Sequence, residues 1–109
     1  FLEQQFSNMK KVILFLFIFI YFSPVIADDK MKLGLDVYNN KAQCGICHSL
    51  KAANSNGEIG PNLDQLKPQL SQIIMAVTNG IGVMPPWKGI LTKEEIEAVA
   101  YYVFESTNN

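Results

Sequence analysis

The sequence predicts an all-α domain, and three observations carry that prediction. Apolar residues recur at helical spacing in two separate stretches: Leu70, Ile73, Ile74 and Val77, then Ile96, Val99, Ala100 and Val103. No run alternates apolar and polar residues over the length of a strand. The segments between are dominated by turn residues, such as Asn54-Ser55-Asn56-Gly57 and Gly60-Pro61-Asn62.

The 109 residues suffice for one small domain, and the first third is unlike the rest. Met9-Lys10-Lys11 is basic, Val12 to Phe22 is unbroken apolar or aromatic sequence, and Ser23-Pro24 ends that run ahead of Val25-Ile26-Ala27. This is the pattern of a secretory signal peptide over 9–27, cut after Ala27. A membrane-spanning helix needs about 20 apolar residues; this run is about half that, so an uncleaved anchor is the weaker reading. Residues 1–8 read as an upstream extension with no structural role. The domain is then 28–109, exported to the periplasm or an equivalent compartment, with no permanent membrane anchor after cleavage.

Residues 28–109 hold nine acids against seven lysines, a formal charge of −2. That is too mild to imply nucleic acid or a membrane surface as partner. A core of this size is marginal. Its large aromatics are only Tyr38, Trp87, Tyr101, Tyr102 and Phe104, so something additional at the centre would complete it.

Taken in order, Lys30 to Ala42 is expected as the first helix, with Leu33, Val37 and Tyr38 on one face. Gly34 beside them costs about 1 kcal/mol against alanine, and close approach of another backbone is a good reason to tolerate it. Residues 49–66 are irregular. Pro68 to Thr78 is the second helix, with Pro68 in its first turn, Met75 in the core and Asn79-Gly80 as its stop. Ile81 to Ile90, with two glycines and two prolines, forms no regular element. The last helix opens on the capping box of Thr92 and Glu95. Two long loops in so small a helical domain are usually functional, and these are expected to wrap around something.

The candidate is C44-G-I-C-H48, which holds every cysteine and the one histidine of the chain. A disulfide across three positions would close too small a ring to gain much loop entropy. A redox dithiol expects an α/β setting, and a zinc site about four ligands. Covalent haem attachment is the remaining reading, since C-x-x-C-H is the c-type haem signature. Cys44 and Cys47 on one helical turn can each add to a vinyl group of one porphyrin, and His48 follows directly as the axial ligand. His/Met ligation is usual for electron carriers. Of the methionines, Met31 lies only 17 positions from His48 and Met75 within the second helix. Met84, in the irregular loop Gly80 to Trp87, is the one free to present its sulfur.

With these residues in hand, CGICH, then GPNL at 60–63, NGIGVMPPW at 79–87 and LTKEEIEAVAYYV at 91–103 resemble a class I cytochrome c over nearly all of 28–109. The resemblance implies three or four short helices wrapped around one covalently bound haem c. It implies that Gly34 lets the first and last helices touch at a near-perpendicular crossing, with Tyr38 and Tyr102 as their aromatics. It assigns the iron to His48 and Met84, and gives the Pro61 carbonyl the Nδ1–H of His48. Trp87 packs near a propionate edge or simply in the core. Cys44, Cys47, His48, Pro61 and Met84 would line one cavity, also touched by Leu63, Leu66, Ile74, Val77 and Trp87.

The stretches GEIGPNLDQLKP and AVTNGIGVMPPW resemble small cytochromes that accept electrons from periplasmic dehydrogenases, such as sulfite dehydrogenases, and the algal carriers that replace plastocyanin. The implied function is a one-electron carrier, not an enzyme. It would act as a monomer or in transient complexes between an upstream dehydrogenase and a downstream oxidase or other carrier. The alternatives are a haem subunit of a dehydrogenase complex and, if Met84 is off the iron, a sensor or small peroxidase.

Overall fold

The computed structural model describes residues 3–10 and 25–109. Residues 3–10 are helical and exposed. The apolar run Val12 to Phe22, and with it most of the expected signal peptide, lies outside the described residues. No described helix is long and apolar enough to cross a membrane.

Helix α1 spans Val25–Asp36, and the chain then widens into a π-turn over Val37–Lys41. The expected single helix from Lys30 to Ala42 is corrected at both ends. It starts five residues earlier, so the expected cut after Ala27 falls in its first turn, and its last part is π-wound. The π-turn closes with Ala42 N–H donating to the Val37 carbonyl at 2.8 Å. The extra residue in that turn accompanies full burial of the adjacent pair Val37 and Tyr38.

Two two-residue strands, β1 (Ser49–Leu50) and β2 (Ser55–Asn56), pair antiparallel within the segment expected to be irregular throughout. A four-residue helix, α2 (Leu63–Leu66), follows; the Asn62 side chain accepts from Gln65 N–H and caps it. Helix α3 is Leu70–Asn79. Pro68 therefore precedes the helix and is not in its first turn. Gln69 is the N-cap, and its N–H donates to Gln72 Oε1 at 3.0 Å, one arm of a capping box. Gly80, at φ +72°, stops α3 as expected. Helix α4, Lys93–Thr107, begins on the Thr92–Glu95 capping box.

The core lies where α1 and α3 pack on α4. Val37, Tyr38, Leu50, Leu63, Ile73, Val77, Ile96, Val99 and Val103 are buried there. At the crossing of α1 and α4, a Cβ on Gly34 would stand 2.3 Å from the Ala98 carbonyl oxygen and 2.5 Å from Tyr102 Cβ. The glycine is required by helix contact, as its place in the sequence implied. The Tyr38 and Tyr102 rings meet just beyond it, centroids 5.9 Å apart and tilted by 58°.

Met75 is not a core residue. It is 65 % exposed, because one step of about 100° along the helix carries it from Ile74 away from the face that buries Ile73 and Val77.

Candidate cofactor site

The segment Cys44 to His48 is one tight turn. Gln43, in the left-handed region at φ +51°, ends the preceding π-turn and redirects the chain. The Cys44 carbonyl then accepts from both Cys47 N–H (3.1 Å) and His48 N–H (2.9 Å). Both thiols and the imidazole are thereby carried on a single helical winding. Both cysteines are free. Burial pushes the Cys44 thiol up to about 11. A buried neutral sulfur, such as a thioether, suits that environment; a nucleophilic dithiol needs its thiolate stabilised. No group of three or more His, Cys, Asp and Glu side chains among the described residues could hold a metal ion, which leaves the zinc reading without support.

His48 is fixed from several sides. Its Nδ1 lies 2.8 Å from the Pro61 carbonyl, so with Nδ1–H as donor the Nε2 lone pair is free for a metal. Gly60 lies flat against the ring: a Cβ there would stand 2.5 Å from Cε1 and 3.0 Å from Nε2. Gly60 is held in turn by its N–H to the Cys47 carbonyl at 2.7 Å. Gly57 leaves no more room, since its Cβ would meet the Cys47 carbonyl carbon at 2.5 Å and His48 N at 2.6 Å. The loop after the motif thus folds back on it through two bare glycine backbones. Sequence reasoning took these glycines for turn residues only, and nothing in their spacing indicated a partner.

The loop is also pinned from outside. Ser49 Oγ donates to the Gly57 carbonyl at 2.9 Å, and Lys51 N–H to Asp64 Oδ2 at 2.9 Å.

Met84 sits in a strap behind α3. Ile81 and Met84 exchange backbone hydrogen bonds at 3.1 and 2.9 Å. Trp87 N–H returns to the Val77 carbonyl at 2.9 Å, closing the strap on the helix end. Met84 and Trp87 are partly buried and pack against the core cluster that includes Leu63 and Val77. Of the residues expected around one cavity, Leu63 and Val77 are buried, Ile74 is half-buried, and Leu66 is 56 % exposed.

The donor set fits a covalently bound haem: two thiols on one turn, an imidazole with its outer nitrogen tied to a carbonyl, and a bare-backbone cradle against the ring. Predominantly helical packing around such a turn defines a class I c-type cytochrome.

The comparisons with known proteins agree. A family profile described as cytochrome C oxidase, cbb3-type, subunit III matches residues 29–103. Cytochrome c6 of Leptolyngbya boryana is 36% identical over 76 residues, covering 66% of this chain and 87% of that protein. Cytochrome c6 of Tetradesmus obliquus is 31% identical over 86 residues, covering 70% and 92%. Among solved structures, the c-type cytochrome SorU from Sinorhizobium meliloti is 50% identical, with a TM-score of 0.69 over 73% of this chain and 93% of that one. The chain belongs to the c-type cytochrome family, as a small class I electron-transfer protein with one covalently bound haem c.

Proposed function

We propose that this chain is a soluble, exported one-electron carrier in which Cys44 and Cys47 hold the haem and His48 and Met84 are its axial ligands. The observation that carries the reading is the His48 ring, clamped between the Pro61 carbonyl and the Gly60 backbone. A ring so held keeps one geometry in both oxidation states, which keeps reorganisation on electron transfer small. Bound haem supplies the Fe(III)/Fe(II) couple. The chain supplies the two attachment sulfurs, the oriented imidazole and a methionine strap.

The similarity to small c-type cytochromes supports a carrier rather than an enzyme. The proposed export signal is 9–27 and the mature domain 28–109, in the periplasm. Both site segments carry exposed apolar side chains, Ile46 and Ile59 around the attachment turn and Ile81 and Val83 in the strap. Small apolar faces suit short-lived redox contacts. A periplasmic dehydrogenase of the sulfite-oxidising kind is the proposed donor, and an oxidase or second carrier the acceptor.

The test is a potentiometric titration of the purified holoprotein with carbon monoxide added to the reduced form. A carrier shows a single one-electron wave and no carbon monoxide complex. Ready formation of that complex favours a sensor or peroxidase.

A further inference from the structure

Tyr38 is a fully buried residue of the π-turn, yet its phenol is not idle. Its Oη lies 2.9 Å from Ser55 Oγ and 3.4 Å from the His48 carbonyl oxygen. Ser55 Oγ in turn donates to the same carbonyl at 3.0 Å. With one proton on each hydroxyl, the shorter distances favour Tyr38 O–H to Ser55 Oγ and Ser55 O–H to the His48 carbonyl; in the reverse order Tyr38 itself donates to that carbonyl, so a hydroxyl holds it either way. Ser55 is wedged in place, since a Cβ on Gly45 would stand 2.7 Å from Ser55 Cβ.

We propose that Tyr38 and Ser55 form a hydroxyl clamp on the main chain of His48, acting as positioning residues for the proximal imidazole. Pro61 holds the ring and the hydroxyl pair holds the backbone, so His48 is fixed at both ends. The clamp also couples three separate segments: the π-turn, the attachment turn and β2. Burial of an unpaired hydroxyl would be costly, and among the described residues no buried side-chain polar atom lacks a partner.

The clamp rests on His48 being the proximal ligand, but its readout does not. The Nδ1–H bond to Pro61 belongs to the chain, so exchange of that ring proton with solvent reports the anchoring of His48 directly. Nitrogen-15-labelled, reduced full-length holoprotein is compared with Ser55→Ala, Tyr38→Phe and the double variant. Thr107→Val is the control, because it removes another buried hydroxyl whose bonds are all local to the end of α4, donated to the Val103 and Phe104 carbonyls and accepted from Asn108 Nδ2.

Ser55→Ala is expected to speed ring-proton exchange about tenfold, the factor for one lost hydrogen bond. Tyr38→Phe, which leaves the Ser55 bond to His48, is expected to have a smaller effect, and the double variant at least that of Ser55→Ala. The midpoint potential should shift in the same order. Thr107→Val should lower the melting temperature and leave both readouts unmoved. If Ser55→Ala and Tyr38→Phe lower the melting temperature alone, or if Thr107→Val changes exchange equally, the clamp is only packing and the proposal falls. The optical spectrum of the same samples tests His48 ligation separately.

Discussion

Gly80 and Met84 are packed backbone to backbone: a Cβ on Gly80 would lie 2.6 Å from the Met84 carbonyl oxygen and 2.8 Å from Pro86 N. Gly80 also sits at φ +72°, where a side chain is strained. The end of α3 and the strap that carries Met84 are therefore one unit. Gly80→Ala should displace the strap and destabilise the fold by roughly 1–3 kcal/mol. It should also weaken the spectral signature of methionine ligation while leaving the haem attached. Denaturant melts and the ferric spectrum of the variant check both outcomes.

Gly34→Ala makes the corresponding test at the helix crossing. The added methyl meets a backbone carbonyl, which cannot rotate away, so α1 must move off α4. A loss of about 2 kcal/mol or more is expected. The ferric spectrum should change little, since Gly34 touches neither His48 nor Met84. Thermal melts of the holoprotein measure it.

Much of this architecture was legible in the sequence, and the parts that were not share a physical cause. The 3.6-residue periodicity and the Thr92–Glu95 box located the start and the buried face of α4, because both signals are local. Gly34 was legible as an anomaly, a glycine within a helix. The bond from Pro61 to His48 came from resemblance, not from pattern. The π-turn was hidden because Val37-Tyr38 fits an α-helical face equally well. Helix α2 is a single turn, too short for any period to show. Met75 was misplaced because a continuous apolar run, Ile73-Ile74-Met75-Ala76-Val77, conceals which members face outward. Ser55 read as turn chemistry, and its bond to Tyr38 spans seventeen positions, a tertiary relation that no local pattern encodes.

Glu95 links two devices. Its Oε1 accepts from Thr92 N–H in the capping box, and its carboxylate pairs with Lys41 of the π-turn. The hydrogen bond to Lys41 holds the Glu95 carboxyl below its ordinary range, and the same bond raises Lys41. The depressed carboxyl contributes stability above its unfolded pKa, lost as pH falls through the folded one. The raised amine contributes below its unfolded pKa and loses it as pH rises. Lys41 is exposed and Glu95 half-buried, so salt screens the pair in part. Glu95→Gln should therefore cost a little at low ionic strength and less in high salt or acid. Glu95→Ala, which also breaks the cap, should stay destabilised in both. Melting temperatures of the two variants across salt and pH decide it.

The axial assignment is the centre of the account, and the ferric absorption spectrum of wild type, Met84→Ala and Met75→Ala tests it most directly. Wild type and Met75→Ala, whose exposed side chain should matter by no more than about 0.5 kcal/mol, should both show the long-wavelength sulfur-to-iron band. Met84→Ala should lose the band with haem still covalently attached. The same variant should lose on the order of 0.1 V in potential, within the ~0.8 V that axial ligands span. A band that survives Met84→Ala, or disappears in Met75→Ala, would contradict the assignment of Met84 to the iron.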